Sequence, residues 1–168
     1  MKQQVSHSGA LKSRRFVLTV LTALGLCALL AGTATAAETS PVGYWRTVPD
    51  DDAAPATIQI WLEGEKLFGK IVALFPRPGF DPNPKCERCE GALKNRPIKG
   101  LTIIEGLAQS GDEWTGGKIL DPANGKSYRC KIQVVPGGVK LKVRGYIGFS
   151  LLGRTQVWER TVPPAAAP

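Results

Sequence analysis

One histidine and one methionine occur in 168 residues, and both, Met1 and His7, lie ahead of an apolar run at 16–31. Lys12, Arg14 and Arg15 precede that run, and Ala34-Thr35-Ala36 follows it with the small-residue pattern that a signal peptidase cuts. We therefore expect residues 1–36 to be a cleaved signal peptide and Ala37 to open the mature chain. Gly25 and several threonines break the run, which falls short of the roughly 20 apolar residues of a membrane span. Ser13-Arg14-Arg15-Phe16 looks like a twin-arginine signal, but a single Arg pair leaves Sec export as the default. Cys27 leaves with the leader.

A processed chain without imidazole excludes a Ser-His-Asp triad, a Cys-His dyad, His-ligated zinc or haem, and a histidine proton shuttle. Charge of one sign is scarce too. Removal of the leader takes away Lys2, Lys12, Arg14 and Arg15 and no acid, which leaves 18 Lys and Arg against 14 Asp and Glu, or +4. That excess is small and no RNA-binding signature accompanies it, so no nucleic-acid partner is expected. The expected location is the periplasm or the exterior, with no membrane span after processing.

Helical periodicity is the third absence. Eight short β-rich runs, at 42–48, 56–62, 67–74, 101–107, 113–120, 127–135, 139–146 and 154–162, alternate with clusters of Gly, Pro, Asn and Asp. Ile58, Ile60 and Leu62 alternate with polar residues, as do Tyr128, Cys130, Ile132 and Val134, and then Val139, Leu141 and Val143. One face is dry and the other wet. Eight such strands must curl to cover the apolar face and the edges. The expected fold is all-β, an eight-stranded antiparallel up-and-down barrel, with a two-sheet sandwich as the alternative. Residues 75–100 are a long Pro-rich connection holding Cys86-Glu87-Arg88-Cys89, with room for one or two helical turns between Glu87 and Lys94 over one barrel opening. The tail at 163–168 has nothing to bury and is expected to be disordered.

Three cysteines survive processing. Cys86 and Cys89 can meet locally in a disulfide, with Cys130 buried and reduced on the Ile132 face; pairing of Cys130 with either of them is the alternative. A redox role for Cys-x-x-Cys needs an activated thiol, and no βαβ unit surrounds the motif, which favours a structural clip. No fourth ligand completes a zinc site, so neither metal nor cofactor is expected. Asp50-Asp51-Asp52 reads as a solvated turn without EF-hand spacing. Glu105 shares a strand face with Leu101, Ile103 and Leu107; if that face is interior, Glu105 needs a cation such as Arg144 or Arg154, or anchors a polar ligand. Trp45 on the first strand and Trp158 on the last are expected to close the barrel, with Arg160 or Arg154 over the Trp45 ring.

Gly43-Tyr44-Trp45, Cys86-Glu87-Arg88-Cys89, Arg144-Gly145-Tyr146-Ile147-Gly148 and Gly153-Arg154-Thr155, in that order, resemble a bacterial exported family known only as a domain of unknown function. The resemblance spans about 41–162 and implies a small lipocalin-like or calycin-like barrel with no assigned catalytic residues. The expected function is a non-enzymatic module binding a small apolar or amphipathic molecule. Ile60, Cys130, Ile132, Leu141 and Val143 would offer contact area, and Glu105, Tyr128, Arg144 and Tyr146 would orient a polar head. The alternatives are a thiol-disulfide protein using Cys86 and Cys89, and an envelope interaction module docking through Trp61 or Trp114.

Overall fold

Strands with one dry and one wet face must hide the dry one, and here the sheet does so by closing on itself. The structure, a computed structural model, describes residues 39–49 and 54–165. The expected signal peptide, Asp50, Asp51 and Asp52, and residues 166–168 lie outside the described residues. The strands are β1 (Gly43–Arg46), β2 (Ala56–Glu63), β3 (Lys66–Leu74), β4 (Thr102–Ser110), β5 (Glu113–Asp121), β6 (Lys126–Val134), β7 (Lys140–Tyr146) and β8 (Gly153–Thr161). Each is antiparallel to its sequence neighbours, and β1 pairs with β8 through Tyr44–Thr161, Trp45–Arg160 and Arg46–Glu159 to complete a closed barrel. Sandwich topology is therefore excluded. All eight strands belong to one compact unit, Ala36–Pro168.

Connections at 64–65, 111–112 and 135–139 gather at one end of the barrel. Those at 75–101, 122–125 and 147–152, with the one that leaves β1, gather at the other, here called the loop end. Inside, Trp45, Ile58, Ile60, Leu67, Ile104, Leu107, Ile132, Leu141 and Trp158 are buried in one cluster. Each aliphatic member contributes roughly 1.5–3 kcal/mol by leaving water. These strands are held by their ladders and by packing across the barrel; among the described residues no α-helix lies against the sheet.

The closure is more elaborate than ring over ring. The Arg160 guanidinium lies 4.2 Å from the centroid of Trp45. It donates through Nε to Gly138 O (2.6 Å) and through its terminal nitrogens to Val42 O (3.1 Å) and Ser40 O (2.7 Å). One side chain thus ties the segment before β1, the β6–β7 turn and β8 together. Burial draws the Arg160 pKa below its ordinary value. Trp45 Nε1 donates to Pro41 O at 2.7 Å, and buried Trp158 donates to Gln156 Oε1 at 2.9 Å. Arg154 takes no part in this closure. It pairs in register with Gly145, six residues before Arg160 and about 20 Å along the strand from it.

Glu105 also departs from expectation. The β3–β4 register shifts between Leu67 and Phe68, which face Leu107 and Glu105, so Gly106 is an extra residue held at φ +73°. Such a bulge reverses the alternation. Ile104 and Leu107 both point inward, and Glu105 turns outward to a Lys118 ion pair at 3.1 Å. The helical turn expected between Glu87 and Lys94 is present, as a single 3₁₀ turn at Gly91–Leu93.

Arg160→Lys keeps the charge but forfeits the planar fork that reaches three carbonyls and stacks on Trp45. We expect the unfolding free energy to fall by about 2 kcal/mol, seen as a lower urea midpoint at unchanged slope. An unmoved midpoint would show that closure does not depend on Arg160.

Candidate ligand-binding site

The residues expected to line a lumen instead fill it. Ile60, Cys130, Ile132, Leu141 and Val143 are at most 3% exposed and pack with Trp45 and Trp158. They are core, and any binding surface lies elsewhere. Cys130 is free and buried, and that burial pushes its thiol up to about 12, so it stays protonated and inert as a nucleophile.

The loop end carries the more structured alternative. Within the 75–101 connection, Lys85 and Pro97 form an antiparallel bridge, Cys86 N donates to Arg96 O (2.8 Å) and Asn95 N donates to Cys86 O (3.0 Å). Cys86 and Cys89 form a disulfide across the tip. This clipped loop is pressed onto the β5–β6 hairpin. Cys86 Sγ lies 3.4 Å from Pro122 O, and a Cβ on Gly125 would stand 1.9 Å from Arg88 O. Gly125, at φ +74°, is therefore required both by the turn and by the close approach. The hairpin is braced by its own side chains. Asp121 accepts from Ala123 N and Asn124 Nδ2 at 2.9 and 2.8 Å, and Asn124 Nδ2 also reaches the Tyr128 hydroxyl at 2.9 Å.

Between loop and hairpin lies a cleft of about 450 Å³. Cys89, Leu93, Leu120, Tyr128 and Ile147 give it an apolar lining, and Glu90, Lys126 and Ser127 add polar groups. That size lies within the range of small-molecule sites, roughly 300–1,000 Å³. Leu120 pairs with Ser127 on the outward face of the sheet yet is only 8% exposed, because the disulfide loop covers it. The cleft therefore straddles the barrel rim and is not the mouth of a lumen. It suits a molecule with an apolar body and a polar end of either sign.

Of the four residues expected to orient a polar head, the structure brings only Tyr128 to this cleft. Glu105 is outside the barrel with Lys118. Arg144 is also on the outer face, where Nε donates to Ser150 O (2.7 Å) and the terminal nitrogens to Thr155 Oγ1 (2.7 Å) and Leu151 O (3.2 Å). It pins the β7–β8 loop. Tyr146 shares that face, in register with Arg129 and Gly153. Leu93, Lys126, Ser127 and Ile147 were not recognisable, since the cleft exists only once the disulfide loop meets a hairpin some 35 residues later.

The two alternative readings can also be placed on the structure. Cys86 and Cys89 are 0% and 1% exposed, which removes the access that disulfide exchange needs. Trp114 packs against the core, opposite Ile132, whereas half-buried Trp61 stacks on Phe68 at 5.9 Å. Four strongly exposed apolar residues, Ile147, Phe149, Leu151 and Leu152, lie together in the β7–β8 loop.

A bacterial family described as "Uncharacterized protein conserved in bacteria (DUF2147)" matches residues 43–160. The chain belongs to this family. Among solved structures, DUF2147 shares its fold here with a Helicobacter pylori protein described as belonging to the lipocalin family. The two are 18% identical, with a TM-score of 0.63 over 73% of this chain and 83% of the other. That likeness establishes the lipocalin-like fold alone. No curated protein matches the chain significantly.

Cys130 supplies a pH test. Its proton is held more tightly folded than unfolded, so this contribution is complete below pH 9 and is lost as pH rises from about 9 to about 12, by about 4 kcal/mol in all. Chemical denaturation across that window should show a flatter decline for Cys130→Ala than for the wild type, and iodoacetamide should leave the native thiol untouched at pH 8. Rapid alkylation without unfolding would contradict the burial.

Proposed function

We propose that this DUF2147 protein is an exported, non-enzymatic module that binds one small apolar or amphipathic molecule at the rim cleft. The observation that carries this reading is the cleft itself, a mixed apolar and polar hollow built by two braced segments next to a filled interior. A site of this kind needs little ordering on binding, because the disulfide, the Asp121 bonds and the Gly125 contact already hold its walls. Export is supported by the leader pattern of residues 12–36 and by a disulfide, which persists in oxidising compartments. The lipocalin-like fold is compatible with small-ligand binding without requiring it. A thiol-disulfide function fits less well, since both sulfurs are covered.

Native mass spectrometry of the chain purified from the compartment to which its own leader directs it tests this directly. The expected result is one bound molecule of small mass per chain, released by solvent extraction. Ser127→Trp, which fills the cleft from an exposed position, should reduce retention at least fivefold without changing the melting temperature. A protein that emerges empty, or a Ser127→Trp variant that retains the molecule fully, refutes the proposal.

A further inference from the structure

The β7–β8 loop runs Ile147-Gly148-Phe149-Ser150-Leu151-Leu152, and its four large apolar side chains are 67%, 80%, 88% and 71% exposed. Scattered exposed apolar residues need no explanation, but four in six residues on one projecting loop do. The loop is not loose. Ile147 N donates to Leu152 O at 3.2 Å, Leu152 N donates to Phe149 O at 3.0 Å, and Arg144 grips the carbonyls of Ser150 and Leu151. Backbone and guanidinium thus hold the apolar side chains outward, where collapse onto the barrel would have hidden them.

The surroundings are cationic. The 75–101 connection has six Lys and Arg against three Asp and Glu, and the adjoining strand ends add Lys126, Arg129, Arg144 and Arg154 against Asp121. Counting the aspartates at 50–52, which lie outside the described residues, the loop end still has a cationic excess. From these two observations we propose that the loop end docks on an anionic lipid surface, with Phe149 and Leu151 entering the acyl boundary and the basic rim meeting the headgroups. Exposed Phe and Leu beside Lys and Arg is the composition of interfacial membrane anchors. Protein interfaces, enriched in Tyr, Trp, Phe, Met and Arg, instead need roughly 800 Å² on each partner, a broader surface than one six-residue loop offers. Basic residues within a Debye length of an anionic leaflet add attraction that salt weakens. The anchor would be reversible and peripheral, and among the described residues no helix is long and apolar enough to cross a membrane. It does not depend on the cleft holding a ligand.

Residues 37–168, which contain the whole barrel, are to be sedimented with vesicles of phosphatidylcholine alone or mixed in equal parts with phosphatidylglycerol. We expect binding to the anionic vesicles, at least tenfold weaker binding to the neutral ones, and a decline with added salt. Phe149→Ser with Leu151→Ser should lower anionic-vesicle affinity at least tenfold, while Cys130 stays resistant to alkylation as proof of an intact barrel. Ser127→Trp should bind vesicles as the wild type does, which separates this proposal from the cleft. Three results would overturn it: no binding to anionic vesicles, undiminished binding by the double variant, or a dimer in solution that the same two substitutions dissociate.

Discussion

The pairing of β1 with β8 is the constraint on which the remaining structure depends. Without it, two strand edges would be open and the apolar face of the sheet would be half covered. β1 is only four residues long, so its three register pairs with β8 are reinforced by side chains. Arg160 does most of this by spanning Trp45 and three backbone carbonyls drawn from two other segments. Closure here is accordingly a matter of one cation, one indole and a short ladder, and the core behind them follows.

A closed barrel of eight strands has an interior just wide enough for side chains or one small ligand. In this chain two tryptophans and a set of Ile, Leu and Val residues occupy it. The proposed recognition surface is thereby the loop end, which carries the cleft and the 75–101 connection. The disulfide loop, the β5–β6 hairpin and the β7–β8 loop each carry an internal brace, and together they make a rim with a cleft, exposed apolar residues and a cationic excess. The barrel is then a rigid mount for the rim.

What could be read from the sequence followed from local rules. Short β-rich runs between clusters of turn residues located all eight strands, period-two alternation in three of them showed one dry face, and the three-residue spacing of Cys86 and Cys89 pointed to the disulfide. Trp45 with Arg160 was readable because first and last strands must meet. Glu105 was misplaced because a single glycine, Gly106, inserts a bulge that alternation does not register. Arg144 looked like a ligand anchor because the loop carbonyls it grips come six or seven residues later and carry no side-chain signature. The cleft was invisible for a related reason. It depends on Arg88 approaching Gly125, a contact between backbone atoms far apart in sequence.

The account stands on a filled barrel with its binding surface outside. Solution NMR of residues 37–168 titrated with decanoate, an acyl chain with a polar head, tests that division residue by residue. The account predicts shifts of the Cys89, Lys126, Tyr128 and Ile147 amides, with Cys130, Ile132 and Leu141 unmoved. Shifts centred on the three interior residues would contradict it and place the ligand within the barrel.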